Sequence, residues 1–474
     1  MKKIFGIVVV SLFFLSSQVN AQHKIRIACI GNSITYGATL PNPEKDSYPG
    51  QLQNMLGDGY EVMNFGVSGK TVIRNGDNSY VSTKKYEEAL QSNPDIVTIK
   101  LGTNDSRLPY RLKLDSNFID DYKALIHSFQ QLPSKPKVIL LLPVSSFLKD
   151  SERQTDEVIV NQVIPKIRQV AYEEKLEMID LHSITADKES LFPDKLHPSV
   201  LGETILAKRI YESVVSKKKM DFDIFSKIKE EKKNSSFYGY DCVDFIFKGR
   251  NCKVVKPRFS ASGLPWVWRA RFFGIEPQAD IALLDRGFHL VYCDVAELFG
   301  NQEAIDCWNA FYEKMHGAGL SKKVCLEGFS RGGIYVYRWA VTNPKKVACI
   351  YADAPVLDLK SWPGGKGKSK GSQEVWEIFK KDFGLSSEEA AMDFKGNPID
   401  LVPQIVKAGF PMLHVVGDAD DVVPVDENTK IFEERVKALG GNIMVIHKQD
   451  VKHHPHSLKN PQPIVDFILH SVKF

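Results

Sequence analysis

Two long stretches of this chain alternate short, β-rich apolar runs with helical patterns, and that alternation restricts the fold more than any other feature. The first extends from Lys24 to about Lys217, with strand-like runs at 25–30, 60–65, 95–101, 137–144 and 176–181 and helical patterns at 48–56, 118–131 and 157–174. The second opens on a hairpin, 240–247 with 252–255, and continues with runs at 265–268, 289–293, 323–327, 347–351, 411–416 and 442–447. Strands separated by helices imply parallel sheets covered on both faces. The expected class is α/β, as two three-layer α/β/α domains, since 474 residues are too many for one ordinary core.

The joint between the stretches, 217–235 (KKKMDFDIFSKIKEEKKNS), is lysine-rich without a strand pattern and reads as a charged linker or solvated helix. The domains are then 22–216 and 236–474. At the front, Lys2 and Lys3, an apolar run at 4–15 and small residues ending at Ala21 have the order of a cleaved signal peptide, 1–21, which implies a secreted or periplasmic protein. No later run reaches membrane length, so no membrane anchor is expected. A net charge of +4 gives no reason to invoke nucleic acid. The seven cysteines are scattered. Cys242 and Cys252 flank a hairpin turn in which Cys252 should face Phe247, so buried thiols are expected rather than disulfides.

Ligands on such sheets bind at the carboxyl ends of the strands, and the chemistry-bearing residues gather there. In the first domain the strand runs end at Gly31-Asn32-Ser33, at Asn64-Phe65-Gly66-Val67-Ser68-Gly69 and at Gly102-Thr103-Asn104-Asp105, and Asp194-Lys195-Leu196-His197 precedes the last helix. A serine needs a base to become a nucleophile, and the base needs an orienting carboxylate. Singly, each residue has an ordinary explanation as a turn or cap. Together, over residues 24–216, they resemble the signature blocks of the SGNH (GDSL-type) hydrolases, a flavodoxin-like fold. The resemblance implies Ser33 as nucleophile, His197 as base and Asp194 as its orienter, with Gly66 and Asn104 joining the Ser33 N–H in the oxyanion hole. Asn32 stands where that family's name motif has aspartate, which is not a catalytic position. In style the domain is similar to the carbohydrate O-acetylesterase and lysophospholipase-like branches.

In the second domain, run 323–327 leads into Gly328-Phe329-Ser330-Arg331-Gly332 and then a helical pattern, the context of a nucleophile elbow. Gly417-Asp418-Ala419-Asp420-Asp421-Val422-Val423-Pro424 resembles the acid turn of the α/β-hydrolases, which singles out Asp420. His453 follows the last strand run as the base, with His454 and His456 as alternatives. The oxyanion hole should combine the N–H of Arg331 with one from the loop after 265–268, at Ala270. Arg269 and Arg331 are candidates to hold a carboxylate or sugar hydroxyls of the substrate. An insertion at 360–405, with helical patterns at 372–382 and 386–393, is expected as a lid, with Trp362 and Trp376 as possible pocket walls. Three close histidines also suit a metal, but no acidic or cysteine ligand cluster accompanies them in sequence, so no metal and no cofactor is expected.

The resulting expectation is an exported, bifunctional hydrolase that removes acyl groups from an ester-decorated carbohydrate. The rivals are a lysophospholipase- or thioesterase-like lipid esterase, and a chain in which one domain has kept only glycan binding.

Overall fold

The computed structural model describes residues 24–74, 78–219 and 221–472. The signal-peptide segment 1–21 lies outside the described residues. The first domain carries five parallel strands: β1 (Ile25–Gly31), β2 (Tyr60–Gly66), β3 (Ile96–Lys100), β4 (Lys137–Leu141) and β5 (Glu177–Ile179), in the order β2-β1-β3-β4-β5. The chain reverses its direction of sheet growth beside β1, so the loops after β1 and β3 part there and leave a crevice. Helices Leu114–Gln130 and Ile164–Glu173 cover one face, around Phe118, Tyr122 and Ile167. Tyr48–Leu56 and Val200–Val215 cover the other, around Leu52, Leu206 and Ile210. The helix expected over 157–174 includes a wider π turn at Ile159–Val163, directly ahead of Pro165, which has no N–H to continue a regular ladder.

After a short ladder between β6 (Lys218–Lys219) and a strand further on, the second domain builds its main sheet from nine strands. These are β7 (Lys232–Phe237), β8 (Tyr240–Phe247), β9 (Arg250–Val255), β11 (Trp266–Arg269), β12 (His289–Cys293), β13 (Val324–Phe329), β14 (Val347–Asp353), β15 (Met412–Gly417) and β16 (Met444–Lys448); β10 (Ser260–Ala261) is the partner of β6. The order is β16-β15-β14-β13-β11-β12-β9-β8-β7, parallel from β16 to β12 and antiparallel beyond. Trp266, Trp268, Trp308 and Trp339 pack together on one face of this sheet, and helix Gln462–Ser471 helps cover the other.

Two expectations are corrected here. The lysine-rich joint is not all linker: from Lys232 its last residues form the edge strand β7, paired with β8. Alternation hides it because Lys232, Lys233 and Asn234 are all exposed, and lysines on an edge strand also discourage pairing with a further chain. In the hairpin, Cys252 lies opposite Phe245, not Phe247, because β9 begins at Arg250 and the turn is shorter than the expected one. All seven cysteines are free thiols, six of them buried.

The domains meet through polar contacts. The Asp180 N–H donates to Asp285 at 3.2 Å, Arg168 donates to the Tyr238 carbonyl at 3.4 Å, and Asn460 donates to Asp187 at 3.0 Å. Burial pushes the Asp285 carboxyl up to about 6, partly relieved by Arg209. No described helix is long and apolar enough to cross a membrane.

Candidate active sites

Ser33 opens the four-residue helix Ser33–Tyr36 at the end of β1, where the Asn32 side chain caps the Ile34 N–H at 3.2 Å. Gly31 is needed just before it, because a Cβ there would lie 1.9 Å from the Thr35 hydroxyl. The Asp194–His197 turn brings the base across the top of the sheet. His197 Nε2 lies 2.9 Å from Ser33 Oγ, and its Nδ1 lies 2.6 Å from Asp194 Oδ2. The other Asp194 oxygen accepts the N–H groups of Leu196 and His197 at 3.0 and 2.7 Å. Burial opposes ionisation of Asp194, but these bonds outweigh it and hold its pKa below the ordinary value. A fixed carboxylate on Nδ1 selects the tautomer whose Nε2 can take the serine proton.

Asn104 points into the same crevice from the end of β3. Its Oδ1 accepts Gln154 Nε2 at 2.9 Å and its Nδ2 donates to the Lys70 carbonyl at 3.0 Å, which leaves one amide hydrogen for a ligand. Gly66 is a correction. It ends β2 and its N–H is taken by Asn64 Oδ1 at 2.9 Å; a Cβ on it would stand 2.2 Å from the Tyr36 nitrogen. Gly66 therefore lets β2 pass close to the Ser33 helix. In the loop beyond, the N–H groups of Ser68 and Gly69 have no acceptor among the described residues, and Gly69, with a φ of +79°, adjoins Lys70, whose carbonyl holds Asn104. A glycine inside a strand has its N–H claimed by strand or local partners, whereas one in the loop beyond does not; that was the signal available in sequence. Asp105 was also missed. It is buried and accepts the N–H groups of Val72 and Ile73 at 3.0 Å, tying down the loop that carries Gly69, and burial pushes its carboxyl up to about 6 despite these bonds.

Asn104→Ala, assayed as a Ser330→Ala chain on an acetyl ester, should lose about 10^2–10^3-fold in kcat with little change in KM. An unchanged kcat would remove Asn104 from the oxyanion hole.

In the second domain Ser330 sits at φ +48° between β13 and the helix Gly332–Thr342, a conformation costly for a residue with a side chain. The glycines around it answer contacts: a Cβ on Gly328 would meet the Gly332 carbonyl at 2.8 Å, and one on Gly333 would meet Pro355 at 2.6 Å. His453 Nε2 lies 3.0 Å from Ser330 Oγ and its Nδ1 lies 2.7 Å from Asp420 Oδ2. Asp420 also accepts the Val422 and Val423 N–H groups at 2.9 and 2.8 Å. Of the alternatives, His456 is buried with its Nδ1 2.8 Å from Asp353 Oδ1, and His454 is exposed. The structure thus brings His453 to the serine and the other two not.

Two further assignments are corrected. The Ala270 N–H donates to the Glu327 carbonyl at 2.8 Å and so is spent on the sheet. The next N–H, that of Arg271, has no acceptor among the described residues and passes near the elbow at Gly332, as does the unengaged N–H of Arg331. Arg269 does not face substrate. It is fully buried, ion-paired with Asp280 and, at 3.3 Å, with Glu327. Its position on β11 points it under the sheet's end, so its charge serves the fold. Arg331 is half-buried and grips Glu297 at 3.0 and 3.1 Å, as Arg271 does at 3.0 Å; two cations thus share one carboxylate beside Ser330. Trp362 lies 5.2 Å from Arg331, whereas Trp376 is buried against Phe379. The helices Gln373–Asp382 and Glu388–Met392 of the insertion share a small core with Phe299, Ile334 and Val356.

Both sites have the arrangement of a serine hydrolase: an aspartate, a histidine and a serine in hydrogen-bonded series at the carboxyl end of a parallel sheet. Residues 29–205 match the model of the GDSL-like Lipase/Acylhydrolase family, and residues 292–474 match that of the prolyl oligopeptidase family. The chain is therefore a GDSL-type (SGNH) hydrolase domain fused to an α/β-hydrolase domain. Among characterised relatives, it is 37% identical over 211 residues to an acetylxylan esterase of Xylanibacter ruminicola, covering 41% of this chain and 44% of that protein. It is 28% identical over 168 residues to an acetylxylan esterase of Geobacillus stearothermophilus, covering 33% of this chain and 73% of that one. The chain thus spans less than half the length of the first relative. Among solved structures, a carbohydrate acetylesterase family member from Sinorhizobium meliloti is 17% identical, covering 40% of this chain and 97% of that one, with a TM-score of 0.35. Porphyromonas gingivalis dipeptidyl peptidase 4 is 15% identical, covering 51% and 36%, with a TM-score of 0.37.

Proposed function

We propose that the protein is an exported bifunctional carboxylic-ester hydrolase that removes acyl groups, acetyl among them, from carbohydrates. The observation that carries this reading is the pair of closed Ser–His–Asp series, Ser33–His197–Asp194 and Ser330–His453–Asp420. In each domain the histidine takes the serine proton as Oγ attacks the ester carbonyl. The oxyanion falls to N–H donors: Ser33, Gly69 and the Asn104 amide in the first site, Arg331 and Arg271 in the second. Collapse expels the alcohol, protonated by the same histidine, and water then releases the acid from the acyl-serine.

The carbohydrate assignment is supported by the acetylxylan esterase names of the two relatives. Export is supported by the charged, apolar and small-residue order of segment 1–21. The assembled second triad weighs against a domain that only binds glycan. The net positive charge of Arg271, Arg331 and Glu297 beside Ser330 favours a substrate that carries a carboxylate, and the position of Trp362, 5.2 Å from the Arg331 guanidinium, supports a role for it in walling the same pocket.

The test is an ester panel of acetylated xylan, carboxylate-bearing sugar esters and lysophospholipid, run on Ser33→Ala and Ser330→Ala chains. Each variant should lose a different sugar-ester activity. If one variant keeps every activity of the parent, the two-enzyme reading fails; turnover of the lipid alone would sink the carbohydrate assignment.

A further inference from the structure

The loop after β16 holds more than a catalytic base. His453, His454 and His456 each offer a ring nitrogen, and these atoms all lie within 4.8 Å of one another. The three ring centroids are 4.6, 4.9 and 5.1 Å apart. Two of the rings are fixed from behind by carboxylates, His453 by Asp420 at 2.7 Å and His456 by Asp353 at 2.8 Å, both at Nδ1. A carboxylate on Nδ1 leaves the Nε2 lone pair outward and raises its basicity, the arrangement that orients histidine ligands behind zinc. Tetrahedral zinc holds nitrogens at about 2.0–2.1 Å, so its ligands stand about 3.4 Å apart. The two buried rings are already set, and the exposed ring of His454 is free to make the closing movement.

We propose that His453, His454 and His456 form a binding site for a zinc-class transition ion, and that occupancy switches off the second active site. The Nε2 lone pair that accepts the Ser330 proton is the one the ion would take, so metal and catalysis exclude each other. The first site has no such device, because the Asp194–His197 turn carries a single histidine. The switching half rests on the proposed role of Ser330; the binding half does not.

The experiment uses the full chain with Ser33→Ala, zinc chloride as the probe, and two readouts. Equilibrium dialysis should find a zinc site that His454→Ala and His456→Ala each weaken at least about tenfold. Labelling of Ser330 by a fluorophosphonate should be slowed by zinc, restored by a chelator, and insensitive to the same zinc in the His454→Ala chain. Zinc binding that neither variant changes would overturn the site, and zinc bound without slowed labelling would overturn the switch. If Ser330 does not label without zinc, the catalytic reading of this domain is what fails, and dialysis alone still decides the metal site.

Discussion

A His453→Ala chain is expected to lose Ser330-dependent acyl transfer by on the order of 10^6-fold, while Ser33-dependent turnover stays unchanged. The size follows from what the histidine does. Without it the hydroxyl must be deprotonated by water at a strained elbow, and nothing returns a proton to the leaving alcohol. What survives is the stabilisation from the Arg331 and Arg271 N–H donors, worth about 10^3–10^4-fold over water. Asp420→Asn should fall less, by about 10^4-fold, since the imidazole remains but in the wrong tautomer. Acyl-enzyme formation in a Ser33→Ala background, followed by the rate of fluorophosphonate labelling, measures both. A His453→Ala chain that labels at the parent rate would mean that another group serves Ser330. The independence of the first site rests on its own His197 and Asp194, and on the absence of any shared catalytic side chain between the two series.

The parts of these sites legible in sequence were those fixed by local chain geometry. Ser33 and Ser330 follow strands into glycine-bounded turns, and Asp194 and His197 lie within one turn, so spacing alone nearly places them. His453 was separable from His456 only through Asp353, a residue a hundred positions away at the end of β14. The oxyanion donors were harder because a backbone N–H is invisible in sequence until its competing acceptor is known. Gly66 and Ala270 looked suitable by position, yet Asn64 Oδ1 and the Glu327 carbonyl already hold their hydrogens. The edge strand β7 was missed for a different reason: an edge with lysines on it has no hydrophobic alternation to read. Arg269 was misassigned because an arginine next to a catalytic loop suggests a ligand, and only burial shows which way it points.

That burial leads to the second large effect, which is on stability. Arg269→Met should destabilise the second domain by about 3–5 kcal/mol, because it leaves the buried Asp280 and Glu327 side chains without their cation in a site with no solvent. In the native chain, burial and the Asp280 charge push the Glu327 carboxyl well above its ordinary range, though Arg269 works the other way. Arg269 itself is held above its ordinary value, the pull of Asp280 and Glu327 outweighing burial. The guanidinium also donates to the Ile275 carbonyl and stacks 4.1 Å over Phe329 beside the nucleophile. A loss of this size is a large share of the 5–15 kcal/mol typical of a domain. All six tryptophans lie between residues 266 and 376, so tryptophan fluorescence, excited selectively over tyrosine, reports this domain alone during denaturant unfolding. An Arg269→Met chain with the parent's midpoint and a raised KM would restore the substrate-binding role. A structural role makes a further demand: replacing Arg269, Asp280 and Glu327 together by apolar residues of similar volume should recover most of the loss, because the penalty comes from stranded charge and not from the missing pair itself.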